Sequence, residues 1–236
     1  MENIITFGSC LSRHIARSYK RLFSAEIISS VYHNRSDYFV NNFVNNVKKN
    51  QLSDYTFTSK EAEEIFLNQT FDGLGKHKLD IDMNLIEVLS SIKIDYILID
   101  NFMDVSSKLA VSSGKDVAFI RSKDVDNFYD IFTIGNYIDT LESISNFNII
   151  IDFFKKSQPN AKVFFFNFPY NVYEDDFRKK RTLDFYNKFK RNDIFVIPPM
   201  NIPKIYRTEV NSHFEEPQYA CYAGIIRALA KGNNIL

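Results

Sequence analysis

Two cysteines and four histidines are the soft nucleophiles and near-neutral bases of this 236-residue chain. Cys10 stands in Gly8-Ser9-Cys10, after the apolar run Ile4-Ile5-Thr6-Phe7 and before a helical pattern. A thiol at that junction meets unpaired backbone N–H groups and the positive end of a helix dipole, both of which lower its pKa. The same N–H groups can stabilise an oxyanion. Arg13, one turn further on, adds positive charge or holds an anionic substrate group. The competing reading of Cys10 is a small buried hydrophobe, the usual place of a free cysteine. His213 lies in a polar loop before the last helical segment. A nucleophile and a histidine are the minimum for acyl transfer, and the competing reading of His213 is a surface side chain. His33 is the rival base, while His14 and His77 fall on or near helical surfaces. Asn101 could donate to a developing oxyanion, and Asp100 could orient a histidine or bind a sugar hydroxyl; a simple Asp-Asn turn is the alternative. Arg35 and the Lys-rich stretch 76–78 could bind phosphate groups.

These residues need elements to position them. Leu11, Ile15, Tyr19 and Leu22 recur at helical spacing after the Gly-Ser-Cys turn, so strand, turn and helix follow in order. Further strands are expected at 27–32, 96–99, 162–166 and 194–197, with a short one at 117–120. Helices are expected at about 36–50, 58–68, 82–92, 136–156, 174–191 and 219–230. The second of these opens on Thr58-Ser59-Lys60-Glu61, which resembles a capping box. Apolar strands alternating with helices predict an α/β fold with a mostly parallel sheet of five strands, covered on both faces. Ligands bind such sheets beyond the carboxyl ends of the strands. The residues at those ends are Ser9-Cys10, His33-Asn34-Arg35, Asp100-Asn101 and Asn167, mostly polar after nearly all-apolar strands. Residues 1–236 read as one domain, with an insertion or lid at about 103–133.

Composition removes several classes of function. Twenty-nine basic and 29 acidic residues cancel, so no net field directs the chain to nucleic acid or an anionic membrane. The 23 Phe and 13 Tyr, without Trp, read as packing residues rather than stacking platforms. Two cysteines are too few for a disulfide framework, which predicts a reduced, cytoplasmic protein. No secretory leader or membrane span is expected. No group of His, Cys and carboxylates has metal-ligand spacing, so no metal is expected.

The Gly8-Ser9-Cys10 turn, the polar strand end at residue 101 and the late histidine together resemble the SGNH-hydrolase arrangement. The closer similarity is to its cysteine-bearing relatives, the GSC-motif proteins and the WcbI-like proteins of bacterial capsular polysaccharide biosynthesis. It rests on Gly8-Ser9-Cys10-Leu11-Ser12-Arg13 and on Ser30-Val31-Tyr32-His33-Asn34-Arg35-Ser36. The resemblance implies a three-layer sandwich with flavodoxin-like strand order. In it Cys10 is the nucleophile equivalent, Ser9 replaces the common Asp, Asn101 matches the oxyanion-hole asparagine, and His213 matches the base. Position 210 is Val where the family carries an orienting Asp, so Glu209 or Asp100 must substitute, or His213 acts in a dyad. No glycine follows the second strand to provide a second oxyanion donor.

What the resemblance implies is O-acyl transfer, in particular acetyl transfer, to a bacterial surface polysaccharide or its sugar precursor. Acetyl-CoA or another acyl-CoA would be the donor, and a saccharide or nucleotide-sugar the acceptor, with Arg13, His33, Asn34, Arg35, Asn167 and Glu209 as binding residues. Self-association of the chain is a further option. Two other readings stay open: an esterase or deacetylase with water as acceptor, and a non-catalytic saccharide- or nucleotide-binding module in polysaccharide assembly.

Overall fold

Continuous apolar strands demand cover on both faces, and the alternation within each strand says which helices provide it. The computed structural model describes residues 1–45, 55–112, 117–210 and 212–232. In chain order its elements begin with β1 (Glu2–Gly8), α1 (Cys10–Leu22), β2 (Ala25–Tyr32), α2 (Ser36–Phe39, continuing as a π-helical turn to Val44), α3 (Lys60–Leu67) and α4 (Leu85–Ser91). Next come β3 (Tyr96–Asp100), α5 (Phe102–Ser106), β4 (Ala110–Ser112), β5 (Val117–Ala118), α6 (Phe128–Ile131) and β6 (Phe132–Ile134). The chain closes with α7 (Thr140–Ser157), β7 (Lys162–Phe166), α8 (Asp176–Lys188), β8 (Phe195–Ile197) and α9 (Glu216–Ala230).

The main sheet has five strands in the order β2-β1-β3-β7-β8. Every neighbouring pair in it is parallel, as expected for a flavodoxin-like order. Ile5 and Phe7 of β1, Ile97 and Ile99 of β3, and Val163 and Phe165 of β7 pack into one core with α2, α4, α7 and α8. Their sequence neighbours Ile4, Leu98, Phe164 and Phe166 face the other core, filled from α1 and α9 by Leu11, Ile15, Tyr222 and Ile226. The period of two along each strand therefore separates two apolar layers, giving helix, sheet, helix. The abundant phenylalanines fill these layers, for example Phe147, Phe165 and Phe185 in mutual ring contact.

Several boundaries differ from those read in the sequence. Ser59, not Thr58, caps α3, its hydroxyl accepting from Ala62 N–H, while Thr58 Oγ1 donates to the Lys123 carbonyl. A full capping box instead opens α4, where Asn84 and Glu87 satisfy each other's backbone donors. α7 begins at Thr140 because Asp139 accepts from Leu141 and Glu142 N–H. The helix expected over 36–50 is described to residue 45, and its remainder lies outside the described residues. Residues 103–133 hold more order than a loop. β4 pairs antiparallel with β5 and β6, and Ala110, Ala118 and Phe132 join the same core as α7 and Phe7. Among the described residues no helix is long and apolar enough to cross a membrane.

One buried carboxylate ties the helices of this layer together. Asp104 Oδ1 accepts from Ser36 N–H at 2.8 Å, and Oδ2 accepts from the Ser36 and Ser143 hydroxyls. Burial pushes its pKa up to about 6, against the pull of those hydrogen bonds. An acid raised in the fold helps stability most when protonated. That help is complete below the ordinary carboxyl value of 3.8 and is lost as pH rises through about 6. Wild-type stability, measured by denaturant titration relative to Asp104→Asn, should fall by about 2.4 kcal/mol from pH 4 to pH 7.5. A difference that stays flat over this window contradicts the assignment.

Candidate active site

The site begins with a backbone turn that only glycine can make. Gly8 has φ +129°, and a Cβ there would lie 2.5 Å from the Asp100 carbonyl oxygen. The close approach lets the Asp100 carboxylate enter the start of α1. It accepts four hydrogen bonds, from Ser9 N–H (2.9 Å), Ser9 Oγ (2.8 Å), Ser12 N–H (3.0 Å) and Phe102 N–H (3.0 Å). Ser9 is the N-cap of α1, and its hydroxyl oxygen accepts from Leu11 N–H at 3.1 Å. Burial pushes the Asp100 pKa up, and its hydrogen bonds with Ser12 and Ser9 oppose that shift. Asp100 was expected to orient a histidine or bind a sugar hydroxyl. Its lone pairs are instead committed to the turn, so it holds the backbone on either side of Cys10.

Cys10 follows as the first residue of α1, and it is 8% exposed. Its Sγ lies 3.1 Å from the Tyr32 hydroxyl, at the end of the neighbouring strand β2. Burial pushes the thiol pKa up, outweighing the hydrogen bond from Tyr32 and the charge of Arg13. The expected lowering by the helix terminus is thus reversed, because desolvation of a thiolate costs more than the dipole returns. Cys10 rests as a thiol.

Two of the chain's four histidines contact Tyr32, the partner of this thiol, and the other two contact each other beside α1. His77 stacks on Tyr32 with ring centroids 4.5 Å apart and planes 5° from parallel, and His33 meets the same ring edge-on at 3.8 Å. His14, one turn after Cys10 on α1, stacks on Tyr219 at 5.0 Å and contacts the His213 ring at 5.6 Å. Burial lowers all four, His14 to about 4 and both His33 and His77 to about 3. The lining is therefore neutral at pH 7, and Arg13, itself pulled down by burial only to about 10, remains a cation within it. The guanidinium lies 5.3 Å from the Tyr32 ring centroid.

The other expected residues divide. His213 lines a 480 Å3 hollow with His14, Glu209 and Tyr219. Among the described residues no carboxylate bonds to its ring, so Glu209 does not replace the missing aspartate. Sγ of Cys10 has Tyr32, not His213, as its hydrogen-bond partner. Asn101 Oδ1 accepts from Phe168 N–H at 2.8 Å, leaving its buried Nδ2 without a protein partner. Asn167 donates to the Ile197 carbonyl and keeps a free Oδ1. One binding assignment fails on geometry: Arg35 is ion-paired to Asp37 and donates to the Ser107 and Asn136 carbonyls. Asn34 donates to the Tyr32 and Asn68 carbonyls and keeps a buried Oδ1 without a protein partner. His33 sits on Phe119 with Nδ1 against Met103 Sδ, which turns it from Cys10.

Sequence reasoning passed over His14, His77 and Tyr32. The interval from Cys10 to His14 is one that places both on one helix face, a signal that was present. His77 carries no such signal, since a long loop brings it to β2. Beside it a 440 Å3 hollow is lined by Glu64, Asn68, Lys76 and Lys78, which keeps the Lys-rich stretch available to a ligand.

No family model matches the chain, and no curated protein sequence does. Among solved structures it is similar to a lipase from a goat rumen metagenome, at TM-score 0.51 and 10% identity over the whole of both chains. It is also similar to a family two carbohydrate esterase from Clostridium thermocellum in complex with cellohexaose (TM-score 0.49, 11% identity, 98% of this chain and 64% of that one). An acetyl xylan esterase from Butyrivibrio proteoclasticus gives TM-score 0.48 and 10% identity, over 98% of this chain and 63% of that one. The chain thus spans under two thirds of both carbohydrate esterases. The likeness to the lipase establishes the α/β fold, built on a parallel sheet of five strands.

Two measurements check the site. Gly8→Ala should destabilise the chain by about 2–4 kcal/mol, since it adds strain at positive φ to a backbone clash. Cys10 alkylation by iodoacetamide should rise through a midpoint above the ordinary thiol value. Tyr32→Phe should move the Cys10 midpoint higher still, and a lower midpoint contradicts the supporting role of the hydroxyl.

Proposed function

We propose that the chain is an acyltransferase that carries an acyl group, acetyl in the first instance, through a thioester on Cys10 to a saccharide hydroxyl. The observation that carries this reading is the fixed turn: Asp100 holds Ser9 and Ser12, and Sγ of Cys10 lies against Tyr32, whose ring two neutral histidines contact. Attack on the donor carbonyl forms the S–C bond while a histidine takes the thiol proton. Collapse breaks the bond to the leaving thiolate, which receives that proton back. The acceptor hydroxyl then loses its proton to the same base and attacks the Cys10 thioester, freeing the thiol and the O-acyl product. His213 is the base assigned here, since burial keeps it unprotonated at neutral pH and it lies on the loop facing α1. Its approach to Sγ requires that loop to close over His14. The unpartnered Asn101 Nδ2 and the Tyr32 hydroxyl are the donors assigned to the oxyanion, the latter standing where the second-strand glycine is missing.

An acyl-CoA donor carries phosphates that call for cations at the mouth of the site. Arg35 is not free for that role, whereas Lys76 and Lys78 border the hollow beside His77. A bacterial surface polysaccharide or its sugar precursor is the acceptor suggested by the Gly-Ser-Cys resemblance. Hydrolysis of an ester or an acetylated sugar is the second reading, favoured by the likeness to a lipase over both whole chains.

Acetyl release from acetyl-CoA should be measured with and without a saccharide acceptor. Cys10→Ala should lower the rate by at least about 1,000-fold and His213→Ala by about 100-fold or more. Full activity in both variants overturns the mechanism. Acceptor-independent release at the same rate selects hydrolysis over transfer.

A further inference from the structure

Among the described residues two arginines are buried, Arg13 and Arg35, and Arg35, like the partly buried Arg181, has the partners that burial requires. Arg35 has Asp37 and two carbonyls, and Arg181 donates to the carbonyls of Asp104, Val105 and Ile138. Arg13 has neither. It is 6% exposed, makes no ion pair or hydrogen bond among the described residues, and keeps a fully buried Nη2 without an acceptor. Only the face of Tyr32 lies against it, at 5.3 Å. Glu64 is the acid whose charge favours Arg13, yet it remains beyond ion-pair reach, while Arg17 repels the guanidinium from the next turn. A second orphan stands in the same cluster: Nδ1 of His77, stacked on Tyr32, is buried without a partner. A cation left unpaired in the interior costs several kcal/mol, so its retention needs a return from something absent in the free protein.

We infer that the substrate presented to Cys10 carries an oxyanion, a carboxylate or a phosphate, which Arg13 binds beside the reacting carbonyl. This rests on Cys10 being the reacting group and narrows the proposed acyl chemistry to anionic substrates. Arg13 is one turn from Cys10, and Tyr32 touches both, its ring under the guanidinium and its hydroxyl on Sγ. An anion on Arg13 therefore lies next to the thiol. Arg17 and Lys78 add long-range attraction at the rim, where both are exposed. A neutral ester leaves the guanidinium unpaired and is bound less well. The site thereby selects by charge, although its other walls are neutral.

Alkylation of Cys10 reads this without any acyl transfer. Cys221→Ser removes the exposed thiol, and the remaining Cys10 is treated with iodoacetate or iodoacetamide, which differ only in the charge beside the reacting carbon. The ratio of the two rates should exceed that of glutathione by about tenfold or more. Arg13→Met should bring the ratio down to that of glutathione, and Arg13→Lys should retain part of the preference. Inorganic phosphate should slow alkylation and raise the melting temperature of the parent but not of Arg13→Met. In the absence of anions Arg13→Met should melt higher than the parent, whereas Arg35→Met should melt lower. A parent ratio equal to that of glutathione, or one unchanged by Arg13→Met, overturns the inference. If Arg13→Met does not fold, Arg13→Gln takes its place: loss of the preference and of phosphate protection there decides for the inference, and their retention decides against it. A parent lacking both decides against it. Absence of acyl transfer in a protein that keeps charge selection overturns the proposed function alone, so the two claims are separable.

Discussion

The structure turns on one carboxylate that never meets a ligand. Asp100 sits at the end of the central strand β3 and accepts hydrogen bonds from both sides of the β1–α1 turn and from the start of α5. It can do so because Gly8 has no side chain and adopts a φ that other residues avoid. A buried anion needs several donors to be tolerated, and helix N-termini supply donors that have no partner of their own. Each solves the other's problem. The consequence is a rigid start to α1, with Ser9 turned inward as a cap and Cys10 turned out toward Tyr32.

From that anchor the electrostatics of the site follow. Walls made of Tyr32, Tyr219 and four deprotonated histidines exclude water but add little charge. Desolvation then governs: it raises the thiol and lowers the imidazoles together. A protonated nucleophile beside unprotonated bases is a sensible resting state for general-base catalysis, in which the thiolate exists only during attack. It also guards a buried thiol against oxidation, since thiolates are the reactive form. Against this neutral background the single guanidinium of Arg13 has more influence than it would at a hydrated surface.

The sequence carried the architecture clearly, because buried parallel strands are continuous apolar runs and their polar ends stand out. β1, β3 and β7 were legible for that reason, and so was the position of Cys10. The roles within the site were less legible. Asp100 and Arg35 both ended apolar strands and looked like ligand-binding groups, but a strand-end charge can equally serve the turn beside it, as both do. His14 and His77 were undervalued because their importance comes from ring contacts across α1, β2 and the 70–79 loop, which no local pattern encodes. The small sheet of β4, β5 and β6 was unreadable in detail for a related reason. Its strands are two or three residues long, too short for periodicity to register.

The central claim is that this anchored turn makes Cys10 a covalent acceptor of acyl groups. Intact-mass measurement of the protein after brief incubation with acetyl-CoA tests it directly. One acetyl group should be found on the Cys221→Ser protein, located at Cys10 and released by hydroxylamine, and none should be found on Cys10→Ala. Acetylation of Cys10→Ala to the same extent, or turnover of donor without any adduct at Cys10 under rapid quench, would contradict the account.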